Sequence, residues 1–94
     1  MLNIGIFAYK FVLILYEFYT VEYINDSEFL IAFGNNLKKV RKSKGFTQVE
    51  LANDLGIEIS QISRIERGVI NTSIGNIFLI SKILKIQVKD LFDF

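Results

Sequence analysis

The chain has 94 residues, 51% of them apolar, and contains no cysteine, histidine or proline. That length holds one small domain. The missing residues exclude disulfides, Cys/His zinc sites and the commonest general base, so no metal, cofactor or catalytic centre is expected. The net charge of +1 hides an asymmetry: residues 1–29 carry one Lys against four acids, whereas residues 30–94 carry seven Lys and three Arg against six acids. A basic domain therefore follows an acidic, apolar leader.

The leader, residues 1–29, is dense in Phe, Tyr, Val and Ile between positions 4 and 24. These residues favour strands, but neither a period of 2 nor one of 3.6 runs through them. Three readings are open. A membrane span is disfavoured, because Lys10 and Glu17 leave an uncharged run of only six residues, 11–16, against the ~20 that a span requires. The segment is then either an arm that packs on a partner subunit or a stretch outside the functional protein. It lacks a small-residue cleavage site, which argues against a signal peptide.

Asn25-Asp26-Ser27 breaks the apolar pattern, and Asp26 or Ser27 is placed to cap a helix that starts near Glu28. Phe29, Phe33, Leu37 and Val40 then recur at spacings of four, four and three, which is one face of a helix. Lys38, Lys39, Arg41, Lys42 and Lys44 gather at its C-terminal end, where cations suit the helix dipole, and Gly45 stops it. Thr47 and Glu50 form a capping box for a second helix, with Leu51, Ala52 and Leu55 facing inward and Gly56 ending it. A third helix is expected over 59–67 with Ile62 and Ile65 inward, closed by Gly68. Asn71-Thr72-Ser73 supplies turn and cap residues for a fourth over 74–84, with Ile77, Ile80, Ile83 and Leu84 apolar. A fifth, over 88–92, closes the core through Leu91 and Phe92. The fold class expected is all-α, with five helices in residues 30–94.

Two short helices joined by a glycine-bearing turn, inside an all-helical basic domain, meet the requirements of a helix-turn-helix. The residues from Thr47 to Ile57 and from Ile62 to Gly68 resemble the phage repressor/Cro-type family of DNA-binding regulators, also called the xenobiotic-response-element family. The resemblance spans about 33–92 without a gap. It implies that the exposed face of the third helix enters the major groove, with Ile59, Ser60, Ser63 and Arg64 toward base edges. Arg64 suits the O6/N7 edge of guanine and Ile59 a thymine methyl.

The same resemblance implies that Gln48 bonds a phosphate and braces the recognition helix, and that backbone near Arg67 and Asn71 also meets phosphate. It makes Arg41 and Glu66 a structural salt bridge. Lys44 and its basic neighbours are either a solvated helix end or phosphate contacts, and Gln61 faces solvent or the DNA backbone. Glu58 departs from the family, standing where a serine cap is common, and Thr72 replaces a common proline.

The function expected is that of a cytoplasmic transcriptional regulator, a steric repressor acting as a homodimer on a palindromic double-stranded DNA operator. A toxin or other regulatory protein is a further candidate partner. The alternative is a protein-interaction module, antitoxin-like or membrane-tethered, that keeps the fold. Its signature would be acids on the recognition face of the third helix, and on the exposed part of that helix only Glu58 is acidic, against Arg64 and Arg67.

Overall fold

The computed structural model describes residues 26–94, which fold into four α-helices and a terminal 3-10 helix, with no strand among them. The helices are α1 (Asp26–Ser43), α2 (Gln48–Leu55), α3 (Ile59–Glu66) and α4 (Ile74–Leu84), followed by the 3-10 helix Val88–Phe92. The all-α class is as expected. The fifth element is a single tight 3-10 stretch rather than an α-helix, a form suited to five residues closing a small core. All readings of residues 1–25 lie outside the described residues.

At the N-terminal end the structure corrects the sequence reading. Asp26 and Ser27 lie inside the first turn of α1, so neither is its cap. Residues 26–29, assigned above to the leader, thus belong to the folded domain. Phe29 packs on it, with its ring centroid 6.4 Å from that of Phe92 and 5.8 Å from that of Phe94. Acids in this turn, Asp26 and Glu28, complement the positive end of the helix dipole.

The core is built from the apolar stripe of each helix. Leu37, Leu51, Ile62, Ile80, Leu84 and Leu91 are fully buried, with Phe33, Ala52 and Ile65 nearly so. Val40, Leu55, Ile77 and Ile83 lie partly buried at its edge. Phe92 does not close the core as expected. It remains exposed at the rim, tilted against Phe33 at 5.1 Å, and Leu91 alone plugs the end. Full burial of such a side chain contributes about 1.5–3 kcal/mol.

Polar groups fix the ends of the helices. Thr47 Oγ1 accepts from the Glu50 amide at 3.0 Å, and the Glu50 carboxylate accepts from the Thr47 amide at 2.9 Å, completing the capping box. These Thr47 hydrogen bonds, the backbone one first, hold the Glu50 carboxyl below its ordinary pKa. Ser73 caps α4 by accepting from the Asn76 amide at 3.0 Å. Asn36, buried on α1, donates from Nδ2 to the Asp90 carbonyl at 2.9 Å and ties the 3-10 helix to the first helix.

Gly34 lets α1 approach the end of α3 closely. A Cβ there would stand 2.4 Å from the Ile65 carbonyl oxygen and 2.5 Å from that of Glu66.

Candidate nucleic-acid interface

The two helices α2 and α3 are joined by Gly56, Ile57 and Glu58. Gly56 adopts φ 73°, ψ 30°, left-handed backbone that a glycine enters without a Cβ clash. Its amide donates to the Asn53 carbonyl at 3.1 Å, and the Ile57 amide donates to that of Ala52 at 3.0 Å, closing the end of α2. Ala52 is buried beneath this turn. The pair forms a helix-turn-helix, with α1 and α4 packed behind it.

The expected pairing of Arg41 and Glu66 is present in the structure, and it is buried. Arg41 Nε donates to Glu66 Oε2 at 2.5 Å, and Nη2 donates to Oε1 at 3.1 Å, a bidentate fork. Two further partners complete it. Arg41 Nη1 donates to the Phe46 carbonyl at 2.6 Å, and Gln48 Nε2 donates to Glu66 Oε1 at 2.9 Å. Among the described residues, no buried side-chain nitrogen or oxygen lacks a partner. The structure therefore gives Gln48 a bracing contact on Glu66, at the last position of α3, and so links the start of α2 to the end of the third helix.

The outer face of α3 makes few contacts within the protein. Ile59, Ser60, Gln61 and Arg64 are exposed, and the side chains of Ser60 and Arg64 have no hydrogen bond or ion pair among the described residues. Ser63 is half-buried and accepts a long hydrogen bond, 3.4 Å, from Arg67 Nε. Lys44 is exposed at the end of α1 and Arg67 at the end of α3. Asn71 is exposed in the following loop, its Oδ1 accepting from the Thr72 amide at 2.9 Å. Glu58, as expected from its departure from serine, caps α3 with backbone alone: its side chain makes no capping hydrogen bond.

Three contributors lay beyond the sequence reading: the Phe46 carbonyl, Asn36 and Gly34. The first is a backbone atom and leaves no trace in residue type. The other two had a faint signal, a polar residue on an apolar face and a glycine inside a helical run.

The helix-turn-helix family model HTH_3 matches residues 37–91, more than half of the chain. The chain belongs to the HTH_3 helix-turn-helix family. It is similar to the control protein C.BamHI of Bacillus amyloliquefaciens, with 43% identity over 65 residues that cover 68% of this chain and 80% of that protein. Among solved structures, the restriction-modification controller protein C.AhdI from Aeromonas hydrophila superposes with a TM-score of 0.64 at 36% identity, covering 67% of this chain and 96% of its own. SinR of Bacillus subtilis, a master regulator for biofilm formation solved in complex with DNA, gives 0.60 at 37%, covering 65% and 98%. As an HTH_3 protein the chain is a DNA-binding transcriptional regulator that acts on double-stranded DNA, and not an enzyme. No helix among the described residues is long and apolar enough to cross a membrane.

Proposed function

We propose that this HTH_3 protein is a homodimeric repressor of controller type, working in the cytoplasm on a palindromic operator. The observation that carries the reading is the uncommitted outer face of α3, held by a buried ion pair at its far end. Ile59, Ser60, Ser63 and Arg64 read base edges, and Gln48, Lys44, Arg67 and the backbone near Asn71 contact phosphate. Cations on this side supply a salt-dependent, sequence-independent attraction, and the few α3 side chains supply the preference. Occupancy of a promoter by a bound dimer blocks polymerase sterically. The control-protein relatives support a role in regulating a restriction–modification gene set. A protein-interaction module would carry acids over α3, and the single exposed acid Glu58 against Arg64 and Arg67 favours DNA.

Arg64→Ala and Gln48→Ala are expected to fail differently. Losing a bidentate arginine–guanine contact removes about 1–3 kcal/mol of discrimination, so Arg64→Ala flattens preference at one base pair per half-site. Gln48→Ala weakens all sequences more evenly, since phosphate contacts position the protein without reading sequence. Competition among matched operator variants at fixed salt checks both. Retention of full preference by Arg64→Ala with loss in Gln48→Ala overturns the placement of α3.

The dimer surface proposed is the apolar patch of Ile74, Ile77, Phe78, Val88 and Phe92 on α4 and the 3-10 helix. Ile74 is 84% exposed and Phe78 52%, a large area for a lone small domain to leave in water. A second copy is its occupant, because two α3 helices at half-sites one helical turn apart need two protomers joined by a self-complementary face. Phe78→Glu is expected to yield a folded monomer whose palindrome affinity falls by roughly 100-fold as avidity is lost. Sedimentation and DNA titration test this, and an unchanged dimer places the interface elsewhere.

A further inference from the structure

Helices α2, α3 and α4 each begin at a cap residue in extended backbone, and two of the three caps use their side chains. Thr47 and Ser73 accept from the amide three residues on. Glu58 has the same backbone, φ −72° and ψ 143°, but its carboxylate makes no capping bond. The residue is exposed, and although its backbone carbonyl accepts from the Gln61 amide at 3.0 Å, its side chain has no hydrogen bond or ion pair among the described residues. Glutamate is outside the set of residues that cap well. Its use here therefore gives up local stability, and the carboxylate is left free at one particular place on the molecule.

That place is the entry of α3, directly before Ile59 and Ser60. The N-terminal residues of a helix lying in the major groove are the ones that reach base edges. A carboxylate brought to DNA is repelled by phosphate and can only accept hydrogen bonds. On the major-groove edges the donors are the amino groups of cytosine (N4) and adenine (N6). Adenine sets its N7 acceptor beside N6, and that nitrogen opposes the second carboxylate oxygen. Guanine offers two acceptors, and thymine an acceptor and a methyl group. Cytosine is the base that satisfies the group.

We propose that Glu58 is a specificity-determining residue, its carboxylate accepting a hydrogen bond from the N4 amino group of one cytosine in each half-site. This rests on the reading of α3 as the recognition helix. Glu58 then acts twice: it selects C·G at that pair, and it penalises any site that presents no donor there.

The test uses the full chain. Preferred duplexes are selected from a random library, and matched variants then compete for wild type, Glu58→Gln and Arg64→Ala at fixed salt, with thermal melts to confirm folding. Wild type is expected to hold one C·G pair per half-site, with replacement costing about 5- to 150-fold, the range of one good base contact. Glu58→Gln is expected to flatten that position or move it to A·T, because a carboxamide pairs with adenine N6 and N7, and to leave other positions unchanged. If Glu58→Gln binds every duplex more tightly with all preferences intact, the carboxylate only repels phosphate and the proposal fails. If Arg64→Ala loses a preference while Glu58→Gln loses none, α3 is the reader and Glu58 is not. If neither variant changes any preference, the reading of α3 falls with it.

Discussion

Glu66→Ala is expected to cost the domain about 3–5 kcal/mol, the penalty for leaving a buried charge without its partner. Arg41 is only 5% exposed, so its guanidinium cannot swing into water when Glu66 is removed. The Phe46 carbonyl would remain its one neutral acceptor, and Gln48 would lose its contact too. In a domain of this size about 1 kcal/mol corresponds to roughly 4–8 °C in melting temperature, so the drop is expected to exceed about 12 °C. A double replacement, Arg41→Met with Glu66→Leu, is expected to recover most of that stability, since apolar pairs often match buried ion pairs. It would not restore the hydrogen bond from Gln48, so specific DNA binding is expected to recover less than stability. Thermal melts of the three proteins check the first claim and operator titrations the second. An unchanged melting temperature in Glu66→Ala would mean the pair is solvated.

Gly68→Ala and Gly75→Ala are expected to shift stability in opposite directions. Gly68 has φ 73°, and a Cβ there would stand 2.5 Å from the Ile31 Cα on α1. Left-handed backbone costs an L-residue about 1–2 kcal/mol, and forcing α1 away adds about 1–3 kcal/mol of overpacking. The expected loss is thus about 2–5 kcal/mol, the sum of strain and clash. Gly75, in the first turn of α4, meets only Ser73 Oγ at 3.8 Å, ordinary contact. Alanine there has room and the better helix propensity, so a gain of about 0.5–1 kcal/mol is expected. Denaturant midpoints of the two variants measure the contrast. Equal shifts would mean that the loop after α3 does not press on α1.

Most of the helical frame was legible because its signals are local. The Thr47–Glu50 box, Gly56 and the spacing of Ile62 and Ile65 act within one turn, and α2 and α4 run over the residues expected. The start of α1 was misread because Asp26 and Ser27 suit a cap and a first turn equally. What holds Phe29 in the domain is Phe92 and Phe94, far away in sequence. Phe92 has the composition of a core residue, yet Leu91 already fills the end, and no local pattern says which neighbour enters. In the candidate interface, the ion pair of Arg41 with Glu66 came from family resemblance. Its extension to Gln48 and Phe46 depends on how the N-terminus of α2 crosses the end of α3, which is a tertiary fact.

The division of labour around Glu66 bears on how such a regulator changes over generations. Arg41 and Gln48 both donate to Glu66, so a change in any of the three is felt by the fold. The side chains of Ser60 and Arg64 are bonded to nothing among the described residues, and Ile59 stands half in water. Surface substitutions free of such contacts generally fall within about ±0.5 kcal/mol. Mutations at 59, 60 and 64 are therefore expected to accumulate with little effect on folding, and, if these residues read base edges as proposed, each would redraw the set of operators recognised. A lineage can drift to a new target, or two gene copies can part ways, without passing through an unfolded ancestor.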